Sequence, residues 1–281
     1  MAAETSGLNV ARDPAASEAL QASLMRALEA TGLTECASAS LVDLDANRSA
    51  GWRSQQNIYP ASVIKVAIMA ETFHQYSSGR LELEAPVVVA DANQTTTDAP
   101  TPFKSGYRTT ISELVEYMIA FSDNIATNQL MDVLRRERVT EYMRSLGLAT
   151  FLLGRKLSGS EPLIVDSEVI GMNRMPAGEI ARLLCLIARD ELPGAAEQRA
   201  ILARCVHNDK LAAGLAKDDV FMHKTGETSD VSHDAGILTT ADDRHFVIVL
   251  YTQVTPNPDG SDAAHANPAM ARCMRSLRAE L

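Results

Sequence analysis

The chain has 281 residues, about two domains or one large one at roughly 150 residues each, so it can build a sizeable core without disulfide or metal staples. A hydrophobic fraction of 46%, a charged fraction of 22% and only 15 Gly and 11 Pro exclude a disordered, collagenous or low-complexity chain. The formal net charge of -10 repels phosphate backbones, and the most basic stretch, Arg135-Arg136-Glu137-Arg138, reads as a solvated helix face, so nucleic acid is not expected as a partner.

Residues 1–13 read as an N-terminal extension with neither the basic start nor the apolar middle of a secretory signal, and no run reaches the roughly 18 apolar residues of a membrane span. As it stands the sequence is expected in the cytoplasm with no membrane partner, or in the periplasm or outside the cell if a leader has been trimmed. Pro14 to Thr31 carries Leu20, Leu24 and Leu28 at a spacing of four before Gly32, which predicts a helix with a stop signal. Cys36 to Leu44 then reads as a strand, Asp45 to Arg48 as a turn and Gly51 to Ile58 as a weaker return strand. Helical spacing dominates the middle of the chain, over Ser62 to Ser78, Thr110 to Phe121, Asn124 to Leu134, Val139 to Ser145 and Ala177 to Asp190. Gly154 to Pro176 lacks periodicity and reads as a long ordered loop. Strand patterns return at Asp219 to Lys224, Ala235 to Thr240 and His245 to Val254, and a last helix spans Pro268 to Glu280.

Strands near both ends with helices between them predict an α/β (α+β) fold. Residues 14–61 and 210–281 are expected to form a discontinuous domain, an antiparallel sheet flanked by the terminal helices, with an all-helical domain over residues 62–209 inserted into it. The groove between such domains is the expected ligand site. The four cysteines, Cys36, Cys185, Cys205 and Cys273, show no C-x-x-C, and the six histidines show no metal-binding spacing, so neither a metal nor a cofactor is expected. No repeat or heptad points to a protein partner, and the oligomeric state stays open.

Three clusters carry chemistry. Ser62 stands at the start of a helix that is apolar nearly all round (Val63, Ile64, Val66, Ala67, Ile68, Met69), with Lys65 one turn further in on the same side. Burial lowers a lysine pKa and makes it a usable base beside a hydroxyl, so Ser62 is a candidate nucleophile and Lys65 its base. The helix start also offers unpaired N–H groups to a developing oxyanion. The alternative is a serine cap with a lysine reaching solvent. Ser122-Asp123-Asn124 interrupts a helical pattern, and by itself such a motif is most often just a capping turn. Lys224-Thr225-Gly226 ends a strand, with a glycine that admits close approach of a ligand or backbone.

In this order and spacing the three clusters resemble those of the class A β-lactamase and penicillin-binding protein superfamily of active-site serine enzymes, over roughly residues 35 to 255. The resemblance implies a β-lactamase-type hydrolase with a small-molecule substrate, a β-lactam, amide or ester carrying a carboxylate. It implies Ser62 as the acylated nucleophile, Lys65 as proton acceptor and Ser122 as proton relay. Asn124 would position the substrate amide, Lys224 with Thr225 would hold the carboxylate, Gly226 would complete the substrate-binding strand, and the backbone N–H groups of Ser62 and Glu227 would form the oxyanion hole. One departure stands out: alignment of Leu153-Gly-Arg-Lys-Leu on the family loop puts Leu157 where a water-activating glutamate belongs. Glu161, Asp166 and Glu168 are the nearby substitutes. The sequence is closer to related serine hydrolases lacking that acid, which share an Arg-Lys stretch here and a run like His233-Asp234-Ala235-Gly236. His233 is a candidate for binding an anionic substrate, or else a turn histidine bonded to Asp234. An intracellular esterase, peptidase or acyl-transfer enzyme, and a slowly deacylating penicillin-binding module, are the alternatives.

Overall fold

The structure, a computed structural model, describes residues 14–97, 99–159, 163–253 and 266–281. Helix α1 (Pro14–Ala30) leads into strands β1 (Ala37–Asp43) and β2 (Arg48–Trp52). The return strand lies earlier than the expected Gly51 to Ile58. Asp43 accepts the Ala46 N–H and Asn47 takes a positive φ, so the turn closes within a few residues, and a left-handed Arg53 (φ 48°) ends β2. A 3₁₀ turn (Ala61–Ile64) then feeds α2 (Lys65–Ser77). The helices that follow are α3 (Ile111–Ala120), α4 (Asn124–Leu134), α5 (Arg136–Ser145), α6 (Ala177–Ala188) and α7 (Ala195–Leu202). A short antiparallel pair, β3 (Pro86–Val88) and β4 (Arg108–Thr110), lies between α2 and α3. That pair and α7 have no counterpart among the predicted elements, because elements this short show no readable period.

Strands β5 (Val220–Glu227), β6 (Val231–Thr239) and β7 (His245–Gln253) complete an antiparallel sheet in the order β2-β1-β7-β6-β5, and α8 (Asn267–Glu280) closes the chain. The two ends of the sequence meet where β1 pairs with β7, Leu41 opposite Ile248. Period-two alternation sorts β7 cleanly: Phe246, Ile248 and Leu250 face one cluster with Leu20, Leu24, Leu28, Met270 and Met274 of the terminal helices. Val247, Val249 and Tyr251 face the other cluster, which continues into α2, α3 and α4. A strand buried on both faces explains the unbroken apolar run from Phe246 to Tyr251. Helix α2 runs through the middle of that second cluster, buried from Lys65 to Phe73, as its all-round apolar pattern predicts.

Candidate active site

The 3₁₀ turn places Ser62 between Pro60 and the start of α2, and its neighbour Ala61 adopts a positive φ of 45°. Ser122 does the same at 58°, at the break between α3 and α4. Each such non-glycine residue costs about 1–3 kcal/mol and persists only where surrounding structure holds it. Both strained positions adjoin the same groove, which is lined by Ser62, Ser122, His207, Asp209, Lys210, Thr225, Gly226 and Glu227 and has a volume of about 150 Å³.

Behind it, Lys65 is fully buried and donates to the Ser122 carbonyl (2.6 Å), to Ser122 Oγ (3.1 Å) and to Asn124 Oδ1 (2.9 Å). The first and second clusters therefore meet at the Lys65 amino group. Asp123 fulfils the capping reading, since its carboxylate accepts the Ala126 N–H (2.7 Å) at the start of α4. Ser122 and Asn124, on either side of that cap, both bond Lys65. The Asn124 amide also donates to the Thr96 carbonyl (3.3 Å).

The third cluster arrives on β5. A Cβ at Gly226 would lie 3.0 Å from the Pro60 carbonyl oxygen and 3.1 Å from the Ser62 nitrogen, so glycine lets this edge strand lie against the nucleophile's turn without displacing it. Thr225 lines the groove, while Lys224 is buried beneath it and donates to the Thr225 carbonyl (2.9 Å). Ser62, Ser122, Thr225, Gly226 and Glu227 thus share one groove, with Lys65 bonded to its wall. His207, Asp209 and Lys210 line it too but carry no sequence signal; they enter from an irregular segment that matches no motif.

His233 does not belong to this surface. It lies within β6 rather than a turn, fully buried and stacked on Tyr251 at 4.0 Å. Its Nδ1 accepts the Thr252 N–H (3.2 Å), which leaves Nε2–H to donate to the Tyr59 carbonyl (2.8 Å). Burial pushes its pKa down to about 4, so the ring is neutral and holds the segment that leads to Ser62, in place of the expected contact with an anion. Asp234 points to the other face and pairs with His223 Nδ1 (2.7 Å). Burial opposes the charge on His223, yet the Asp234 carboxylate lifts its pKa to about 10. The pair tethers the groove wall: His223 Nε2 meets Asn208 Oδ1 (3.2 Å) and Asp234 accepts the Leu211 N–H (3.1 Å).

The described residues of the long loop are tied to α4 and α5 by side-chain bonds. Leu157 is buried, and its backbone N–H and C=O pair with the Asn128 amide at 2.8 Å each, one turn along α4 from Asn124. Of the proposed substitutes for the absent acid, Asp166 is committed elsewhere: it takes two bonds from the Arg136 guanidinium (2.9 and 3.0 Å) and one from the Lys156 N–H (2.7 Å). Burial alone would raise its pKa, but these donors bring it down to about 2. Glu168 is exposed, 3.8 Å from the same guanidinium, and Glu161 lies outside the described residues. Among the described residues no group of three or more His, Cys, Asp or Glu could hold a metal ion, all four cysteines are free thiols, and no helix is long and apolar enough to cross a membrane.

Comparison with known proteins finds relatives along nearly the whole chain. A family model described as "Beta-lactamase enzyme family" matches residues 18–273. A curated relative from Citrobacter koseri, named beta-lactamase, is 27% identical over 210 residues, 71% of this chain and 69% of its own length. A solved structure of a beta-lactamase from Chitinophaga pinensis superposes with a TM-score of 0.79 at 19% identity, covering 91% of this chain and 98% of that one. A point mutant of PBP-A, described as an acyl-enzyme complex with penicillin G, gives a TM-score of 0.74 at 23% identity, over 93% and 95% of the two chains.

Proposed function

Because the chain belongs to the beta-lactamase enzyme family, and with it to the serine hydrolases of β-lactamase type, we propose that Ser62 is its acylated nucleophile and that a small β-lactam, amide or ester is its substrate. The observation that carries this reading is the convergence of Lys65 on Ser122 and Asn124 behind the groove that Ser62 lines. Ser62 Oγ attacks the carbonyl carbon as its proton passes to Lys65, which acts in this step as the neutral amine, and the carbonyl π electrons move to oxygen. The Ser62 and Glu227 N–H groups receive that oxyanion. Collapse of the tetrahedral species breaks the C–N or C–O bond, and the proton reaches the leaving group through Ser122, which Lys65 touches directly. Thr225, which lines the groove, and Lys224, bonded to its carbonyl, are the groups assigned to a substrate carboxylate in this reading. Water then attacks the ester on Ser62 and restores the enzyme.

A second reading, in which the acyl-enzyme persists, is favoured by the loop. A leucine is clamped beside α4 at the position proposed for the water-activating acid, and Asp166 is bound to Arg136. Turnover of a chromogenic cephalosporin, a D-alanyl peptide and a short-chain ester, each with the native chain and Ser62→Ala, tests the proposal. Turnover of at least one of them by the native chain alone supports it, and equal rates for the two proteins would remove it. A single-turnover burst with no steady state selects the second reading.

A further inference from the structure

The groove has an unexpected charge balance for a site that takes anions. Of its eight lining residues, Lys210 is the one Lys or Arg, set against two acids, Asp209 and Glu227. Lys210 is itself buried, and its ammonium donates to the Glu227 carboxylate, to Ser232 Oγ (2.7 Å) and to Asn267 Oδ1 (3.0 Å). Three acceptors match the three N–H bonds of an ammonium. Asn267 is turned toward Lys210 because its amide nitrogen donates to Asp209 (2.6 Å). The cation is therefore fixed by β6 and α8, and Glu227, at the end of β5, supplies its ionic partner.

Glu227 follows Gly226, and this ion pair lines the same groove as Ser62 and Thr225. Within the lining, a substrate carboxylate meets Lys210 already paired with Glu227 and a second acid in Asp209, while Lys224 is buried behind Thr225. The volume of about 150 Å³ also falls below the roughly 300 Å³ at which small-molecule pockets commonly begin, and both partners of the bridge wall it. We propose that Glu227 is a specificity-determining residue: by holding Lys210 as an internal carboxylate it discriminates against substrates carrying a carboxylate at this end and favours neutral esters and amides. The inference rests on the acyl-enzyme reading above. Replacing Glu227 by Gln keeps the shape and leaves Lys210 a buried cation without a counter-charge, which an incoming carboxylate would satisfy.

The test measures the second-order rate of Ser62 acylation by penicillin G and by its methyl ester, on the native chain, Glu227→Gln, Lys210→Met and the double variant. The acid-to-ester ratio within each protein cancels any general loss of activity. It is expected to rise about tenfold or more in Glu227→Gln, to fall in Lys210→Met, where Glu227 stands alone, and to return near the native value in the double variant. A ratio within twofold of native in both single variants overturns the role of Glu227 while leaving acylation intact. If one single variant fails to fold, the other still decides, since each predicts its own direction. Absence of adduct with either compound on every protein overturns the acyl-enzyme reading, and this inference with it.

Discussion

Lys65 and Gly226 show how much rests on single side chains. Lys65 is enclosed on all sides and gives its N–H bonds to the second cluster, so Lys65→Met, which keeps the volume and removes the amine, is expected to slow Ser62 acylation by orders of magnitude with the fold retained. Stopped-flow acylation beside near-ultraviolet circular dichroism checks both halves of that statement. Gly226→Ala places a methyl about 3 Å from backbone atoms of the Ser62 turn and is expected to cost at least about tenfold in acylation rate, since a small displacement at the reacting atoms is expensive. These positions are legible in the sequence because each sits in a cluster whose residue types the chemistry demands. His233 is not, because a strand begun at Ala235 leaves it in a turn; extended to Val231, alternation puts His233 on the same face as Val231, Ala235 and Ile237, among buried residues. Lys210 is illegible, since its partners come from β5, β6 and α8 and no local pattern joins them.

At the scale of elements, two buried ion pairs hold irregular segments of the chain, one of them at the groove wall. His223–Asp234 ties β5 and β6 to the wall around Asn208 and Leu211, and breaking such a pair from one side costs about 3–5 kcal/mol. Asp234→Asn is therefore expected to lower stability by about that amount at neutral pH in denaturant titrations. The folded pKa of His223 lies above its free value, so the contribution is whole below about pH 6.5 and is lost as pH rises through about 10; the gap between native and variant should close across that interval. Asp166 has the opposite sign. Its folded pKa lies below the free value, so its contribution holds above about pH 4 and is lost as pH falls through about 2. Asp166→Asn is expected to free amides of the loop between Leu152 and Arg174 to hydrogen exchange before the sheet exchanges, and equal protection in both proteins would contradict this anchoring role. The long loop is readable from its missing period, whereas its anchoring by Arg136 and Asn128 is not, because both anchors lie on helices distant in sequence.

The whole molecule depends on both ends of the chain. Strand β1 pairs with β7, and α1 packs beside α8 over one face of the sheet, where Met270, Cys273, Met274 and Leu277 are buried. Each such side chain contributes about 1.5–3 kcal/mol on burial, against a typical total stability of about 5–15 kcal/mol. A chain ending before Asn267 is expected to lose cooperative thermal unfolding, and would also lose the amide that holds Lys210. The order of strands, helices and strands makes this architecture legible, and the alternation in β7 makes the double burial legible; the small β3–β4 pair is not, for want of length.

Intact-mass spectrometry of the native chain and of Ser62→Ala, each incubated with penicillin G and followed over time, tests the reactive serine most directly. One penicillin should add to the native chain, map to the peptide containing Ser62, and be absent from the variant. An adduct on both proteins, or on neither after long incubation with penicillin G and with its methyl ester, would contradict a nucleophile at Ser62.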